Sequence, residues 1–151
     1  IDLLQSHLLL FYTGQVRTAS EIAQEQIKRI PDKKQELNTL SKFVDDAIAI
    51  LNNGTDILDF GRLLDEAWQI KRQLTHLISN TAIDEIYRSA CSAGAIGGKL
   101  LGAGGGGFIL FFAAPELHQQ IKNKLNKLLY VPFKFENLGS QVILYSTQDF
   151  Y

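Results

Sequence analysis

The segment Gly94 to Gly107 reads GAIGGKLLGAGGGG, with eight glycines in 14 residues against 12 in the whole chain. Glycine loses more backbone freedom on ordering than any other residue, so this concentration needs a physical reason. Glycine admits positive φ, and it lets a ligand or a second backbone approach where a Cβ would block it. Successive exposed N–H groups can also form an anion-holding concavity. Lys99, the only charge in the segment, would complement a phosphate. The segment is expected to be a helix-to-strand loop lying close to a phosphorylated ligand. The alternative is a turn whose glycines only let a helix and a strand pack closely.

The flanks set the chain order. Upstream, Ser79 or Asn80 is expected to cap a helix running through Ile83, Ile86, Tyr87, Ala90 and Cys91, with Gly94 as its C′ residue. Downstream, Phe108 to Ala113 (FILFFA) is a short apolar run and reads as a buried strand. Two phosphate-loop readings fail here, one on this order and one on residue identity. Gly102, Gly104 and Gly107 satisfy G-x-G-x-x-G, but that fingerprint must follow a strand and open a helix. A Walker loop would need Gly where Ala93 stands and Ser or Thr where Leu100 stands.

Further out, Ser6 to Tyr12 (SHLLLFY) reads as a strand ending at Thr13-Gly14. Thr18 to Arg29 has Ala19, Ile22, Ala23 and Ile27 at helical spacing before Pro31. Lys33 to Leu51 places Leu37, Leu40, Val44, Ala47, Ile48 and Leu51 on one helical face, and Asn52-Asn53-Gly54 closes it. Asp56 to Leu74 repeats the pattern through Ile57, Phe60, Leu63, Leu64, Ala67 and Trp68. Pro115 opens a last helix with Leu117, Ile121, Leu125 and Leu128 inward. Val131 to Phe135 and Gln141 to Tyr145 are expected to form a hairpin around Asn137 to Ser140. Strands and helices do not alternate regularly, so the class is α+β rather than doubly wound. The expected architecture is one domain over residues 1–151, a small, largely antiparallel sheet with helices mostly on one face.

Composition narrows the function classes. Net charge is −1, from 15 basic and 16 acidic residues, which offers no global argument for nucleic acid or membrane binding. Lys122, Lys124 and Lys127 are expected to form a solvated helix face. The single cysteine, Cys91, excludes a disulfide within one chain or a cysteine-based metal site, and points to a reducing, cytoplasmic setting. Cys91 itself is expected to be a small buried residue. No apolar run reaches the ~18 residues of a membrane span, and Ile1 to Tyr12 lacks signal-peptide features. The chain has no methionine, which raises the expectation of a longer parent protein.

Outside the glycine segment, Arg17 follows Thr13-Gly14 at a strand-to-helix junction. It could grip a phosphate bidentately, or be a surface arginine at a helix start. Lys71 and Arg72 fall late on a helix, where cations favour the C-terminal end of the dipole; phosphate binding is the sharper alternative. Trp68 lies on the apolar stripe and is expected in the core rather than as a sugar platform. Asp45-Asp46 and Asp65-Glu66 are adjacent pairs whose side chains do not face each other, and are expected to be solvated. His7, His76 and His118 show no metal-ligand spacing, and no metal site is expected.

GAIGGKLLGAGGGGF, Gly94 to Phe108, resembles the third conserved motif of the GHMP small-molecule kinases, which lies in their C-terminal domain between a helix and a strand. FYTGQVRTASEI (Phe11 to Ile22), LLDEAWQIKRQL (Leu63 to Leu74) and the stretch Ile83 to Phe112 resemble the D-glycero-D-manno-heptose 7-phosphate kinase branch. Fucokinase-type enzymes have related domains. The resemblance implies a ferredoxin-like C-terminal domain of an enzyme that phosphorylates a sugar hydroxyl, the anomeric one of a heptose 7-phosphate, with ATP and Mg2+. It implies that the nucleotide-binding N-terminal domain, with the principal nucleotide and Mg2+ residues and the catalytic acid/base, lies outside this chain, leaving the chain inactive by itself. Gly97, Gly98, Lys99, Gly102, Gly104, Gly105 and Gly106 would then line the phosphate-transfer region, with Arg17 and Lys71 on the sugar phosphate. A stand-alone module that binds a phosphorylated metabolite without catalysis, and a purely structural or oligomerising domain, are the competing classes.

Overall fold

Thr13 ends the first expected strand, and its backbone N–H donates at 2.8 Å to the carbonyl of Gly107, 94 residues later. The fold is built around that closure. The computed structural model describes residues 1–53, 56–136 and 138–143. A short helix α1 (Asp2–Ser6) leads into β1 (Leu8–Tyr12), followed by α2 (Ala19–Arg29), a 3-10 turn at Ile30–Asp32, α3 (Lys34–Asn52), α4 (Leu58–Arg72) and α5 (Thr81–Ser92). Then come β2 (Gly97–Leu100), β3 (Phe108–Phe112), a 3-10 turn at Pro115–Leu117, α6 (His118–Lys124) and β4 (Leu129–Tyr130).

The helix signals act as their chemistry dictates. Asn80, rather than Ser79, caps α5: its side-chain oxygen accepts from Ile83 N–H at 3.1 Å. Gly94 closes α5 with φ +104, and Ala95 N–H returns to the Ala90 carbonyl at 3.0 Å, which satisfies an end carbonyl. Asp56 accepts from Leu58 N–H at the start of α4.

The four strands form one antiparallel sheet in the order β2-β3-β1-β4. Leu9, Phe11, Ile109, Phe111 and Leu100 share one face by register and are essentially fully buried. Ile22 from α2, Trp68 from α4, Ile83, Tyr87 and Ala90 from α5, and Ile121 and Leu125 from α6 or its end complete this core. The expected α+β class therefore holds, and Trp68 is a core residue. Each fully buried aliphatic or aromatic side chain contributes roughly 1.5–3 kcal/mol.

The sequence-based layout needs three corrections. First, Gly97 to Leu100 is an edge strand, not loop. Glycine has poor strand propensity, but here Gly97, Gly98, Lys99 and Leu100 pair with Phe112, Phe111, Leu110 and Ile109. Second, the last strand is Leu129–Tyr130, paired with Tyr12 and Phe11, and residues 131–136 and 141–143 are not in a strand. Val131 N–H still reaches Leu10 O at 2.8 Å, one residue beyond the paired segment. Asn137 and the 144–145 end of the expected hairpin lie outside the described residues. Third, Asp65 is not a solvated carboxylate: its Oδ1 accepts from Tyr87 Oη at 2.5 Å and from Gln69 Nε2 at 2.9 Å. Asp45, Asp46 and Glu66 are exposed as expected.

Cys91 is half-buried rather than buried; burial first, and then the Asp65 charge, push its thiol up and away from thiolate reactivity. Lys124 and Lys127 are exposed, whereas the Lys122 ammonium sits 3.8 Å from the Tyr130 ring centroid. No described helix is long and apolar enough to cross a membrane.

Candidate functional site

The second half of the glycine segment, Gly102 to Gly107, is the turn between β2 and β3. Three parts of the chain hold it. The β1–α2 connection contributes Thr13, whose backbone N–H and Oγ1 both donate to Gly107 O, and Gln15, whose carbonyl accepts from Gly107 N–H at 2.8 Å. The α4–α5 connection contributes Ile78, whose carbonyl accepts from Gly105 N–H at 2.9 Å. Helix α2 contributes Gln26, whose Nε2 donates to Ala103 O at 2.9 Å.

Close approach explains much of the glycine content. A Cβ on Gly106 would lie 2.5 Å from Gln15 O, and one on Gly104, where φ is +131, would lie 2.7 Å from Ile78 Cα. A Cβ on Gly97 would fall 2.1 Å from Gly61 O on α4, and one on Gly98 2.5 Å from Leu110 O. The packing alternative therefore accounts for Gly97 and Gly98. Gly102 and Gly105 also have positive φ, and open space surrounds Gly102. Within the turn, the N–H groups of Gly104 and Gly106 have no hydrogen-bond partner among the described residues. These are the donors that a backbone anion cradle requires.

Two of the expected cations gather here. Lys71 lies in the last turn of α4, and its Nζ donates to Gly102 O at 2.9 Å. Burial lowers its pKa from the ordinary lysine value, and the Lys99 charge lowers it further. Neither Lys71 nor Lys99 forms an ion pair among the described residues, and the acceptor of the Lys71 ammonium is the neutral Gly102 carbonyl. Arg72, its neighbour in sequence, is occupied instead with Asp84 at 2.7 Å. Arg17 flanks the turn on another side: its exposed side chain packs against Gly105 through Cβ and Cγ. The structure thus brings Arg17, Lys71 and Gly102 to Gly106 to one turn, and sets Gly97 and Gly98 in the supporting strand.

Sequence reasoning missed the residues that hold the turn: Thr13, Gln15, Gln26, Ile78 and Asn80. Asn80 Nδ2 donates to Gln15 Oε1 at 2.8 Å, tying the two connections together. Ile78 lies 27 residues before its partner Gly105, and the other contacts join positions 65 to 94 residues apart, separations that no local period reports. The polar residues Thr13, Gln15, Ser79 and Asn80 next to apolar runs were the available signal. Among the described residues, no group of three or more His, Cys, Asp and Glu could hold a metal ion.

The D-glycero-alpha-D-manno-heptose 7-phosphate kinase of Campylobacter jejuni is 31% identical over 127 residues, covering 82% of this chain and 37% of that kinase. The bifunctional fucokinase/GDP-fucose pyrophosphorylase of Arabidopsis thaliana is 30% identical over 133 residues, covering 81% of this chain and 12% of that enzyme. The crystal structure of Methanococcus jannaschii mevalonate kinase superposes with a TM-score of 0.70 at 27% identity, over 82% of this chain and 38% of that one. This chain therefore spans only a minor part of the length of these relatives. The family model for the C-terminal region of GHMP kinases matches residues 36–131, from the first turn of α3 through the glycine turn and past β4, and the chain belongs to that family.

Proposed function

We propose that this chain is the C-terminal domain of an ATP-dependent sugar kinase that phosphorylates the anomeric hydroxyl of a heptose 7-phosphate. The observation that carries this reading is the 31% identity to the Campylobacter heptose 7-phosphate kinase, which runs over most of the chain. The whole of residues 1–151 is one domain in this reading. A nucleotide-binding domain on the longer protein supplies the ATP site, the Mg2+ ligands and the catalytic acid/base, and this chain alone is inactive. The enzyme would work in the cytoplasm.

Phosphoryl transfer is catalysed mainly by positioning and by neutralising charge on the transferred group. In this reading the unpaired N–H groups of Gly104 and Gly106 are donors to the phosphate. Lys71 offers positive charge beside Gly102, Lys99 adds charge from β2, and Arg17 offers a planar, two-pronged donor on the Gly105 side. Gly97 and Gly98 act by letting β2 sit tight against α4 and β3, which fixes the start of the turn. When bound, Mg2+ would neutralise charge on the nucleotide phosphates. A fucokinase-type activity is the second reading, supported by the similarity to the Arabidopsis enzyme.

The test is turnover by the longer protein that contains this chain, supplied with ATP and Mg2+. Heptose 7-phosphate should be converted to an anomeric phosphate, seen as a new 31P resonance. Turnover of L-fucose instead would move the assignment to the second reading. Tight binding of a phosphorylated sugar with no transfer to any acceptor would leave a binding module in place of a kinase.

A further inference from the structure

Helix α3 is long and amphipathic, yet none of its residues is fully buried. Val44, Ile48 and Leu51 on its apolar face are 58%, 52% and 44% exposed. Between this face and α4 lies a groove of about 410 Å³, a volume within the range of small-molecule sites. At ~1.5 Å per helical residue, the α3 wall from Leu40 to Leu51 runs about 16 Å.

The lining is apolar except for Lys71 and Lys99, and it contains no carboxylate. Lys71 is the last groove-lining residue on α4, so the charge falls where the α4 wall ends. Trp68 also lines the groove; it is 1% exposed, and its Nε1–H has no hydrogen-bond partner among the described residues. An apolar trough and two cations with no carboxylate beside them together specify the chemistry of an occupant. A second copy of this chain would present the same lining, which has no acid to offer the lysines.

We propose that the α3–α4 groove binds a single-chain anionic amphiphile, with its head on Lys71 and Lys99 and its hydrocarbon chain between Val44, Ile48 and Leu64. Such a ligand competes with the phosphorylated substrate for the two lysines. The competition rests on the phosphate-site reading above; the binding does not.

Trp68 is the only tryptophan, so its fluorescence reports on the groove directly. Decyl phosphate, kept below its micelle concentration, should give a saturable change, with inorganic phosphate and decanol each binding at least about tenfold more weakly. Ile48→Glu, and Lys71→Ala combined with Lys99→Ala, should each weaken decyl phosphate binding by about tenfold or more, and exposed Lys127→Ala should not. Ile48→Gln at the same half-exposed position serves if the glutamate variant loses its circular dichroism signal. The proposal is overturned by the absence of saturable binding, by Ile48 variants that bind normally, or by inorganic phosphate binding as tightly as decyl phosphate. It is also overturned by a dimer in sedimentation velocity that Ile48→Glu dissociates, since the occupant would then be a second copy. In the longer enzyme, decyl phosphate should raise KM for the phosphorylated sugar and leave kcat unchanged. Groove binding without competition would remove the lysines from the substrate site and leave the amphiphile site standing.

Discussion

The ammonium group of Lys71 donates a 2.9 Å hydrogen bond to the carbonyl oxygen of Gly102, 31 residues further along the chain. The bond ties the last turn of α4 to the start of the glycine turn. Its acceptor is neutral, so it leaves the repulsion between Lys71 and Lys99 uncompensated. An anion seated beside the turn would relieve that repulsion, which makes this pair the electrostatic centre of the proposed site.

Lys71→Met should therefore separate function from stability. In the longer enzyme, kcat/KM for the phosphorylated sugar should fall about tenfold or more, a loss of ~1.4 kcal/mol or greater in transition-state stabilisation. Folding stability should change by less than ~1 kcal/mol, because the lost hydrogen bond is offset by relief of a desolvated, repelled charge. Lys99→Ala should lower the same rate constant with a similarly small change in stability. An unchanged kcat/KM in either variant would remove that lysine from the site.

The lowered pKa of Lys71 sets a pH dependence. Anion binding requires the protonated ammonium, so affinity for sulfate should decline as pH rises through the folded-state value. That decline begins below the ordinary lysine value of ~10.4. Isothermal titration of this chain with sulfate across the alkaline range measures it, and Lys71→Met should remove the decline. A flat profile up to the ordinary lysine range would contradict the coupling.

Two glycine substitutions distinguish close packing from backbone conformation. Gly97→Ala would drive a Cβ to 2.1 Å from Gly61 O and 2.8 Å from Asp65 N, both backbone atoms of α4 that cannot swing aside. A loss of ~3 kcal/mol or more is expected, at the upper end of overpacking effects. Gly102→Ala meets open space and faces only the positive φ, a cost of about 1–2 kcal/mol. Urea denaturation of the two variants gives the comparison; equal losses would mean that α4 does not clamp β2.

Tyr87→Phe tests the buried link between α5 and α4. The phenol donates to the Asp65 carboxylate, and its loss should cost about 1.5–3 kcal/mol, as for other hydrogen bonds to charged groups. Burial, then the hydrogen bond to Asp65 and its charge, raise the pKa of Tyr87 well above the ordinary tyrosine value. The unfolded chain therefore gives up this proton first, so stability falls as pH rises above ~10. Tyr87→Phe should flatten that alkaline limb in urea melts recorded at successive pH values.

Asn80→Ala removes both the α5 cap and the link to Gln15. The cap alone is worth ~1 kcal/mol. In hydrogen exchange the turn should also loosen, with faster exchange at Gly105 and Gly107 than in a Thr81→Ala control. Unaltered exchange at these amides would show that the Asn80–Gln15 contact does not support the turn.

Periodicity alone located α2 to α5, the β1 and β3 strands and the inward face of α6, because each is an amphipathic or apolar run long enough to repeat its signal. Chain order around Gly94 was equally local and excluded the dinucleotide fingerprint, while the identities of Ala93 and Leu100 excluded the Walker loop. The glycine density correctly marked a place where backbones crowd, but it could not separate Gly97 and Gly98, in a strand, from the turn that follows. Glycine carries no side chain whose alternation would betray a pleat, and β2 exists only because β3 and α4 are there to receive it. Nor could one helix announce that Asp65 would meet Tyr87, or that α3 would leave Val44 and Ile48 uncovered. Among the described residues of the hairpin expected near the C-terminal end none is in a strand, and the last strand is Leu129–Tyr130, where register on Phe11 and Tyr12 outweighed local alternation. Local sequence reports what each segment can bury; which polar atoms become neighbours, from Thr13 to Gly107 and from Lys71 to Gly102, depends on contacts between segments far apart in the chain.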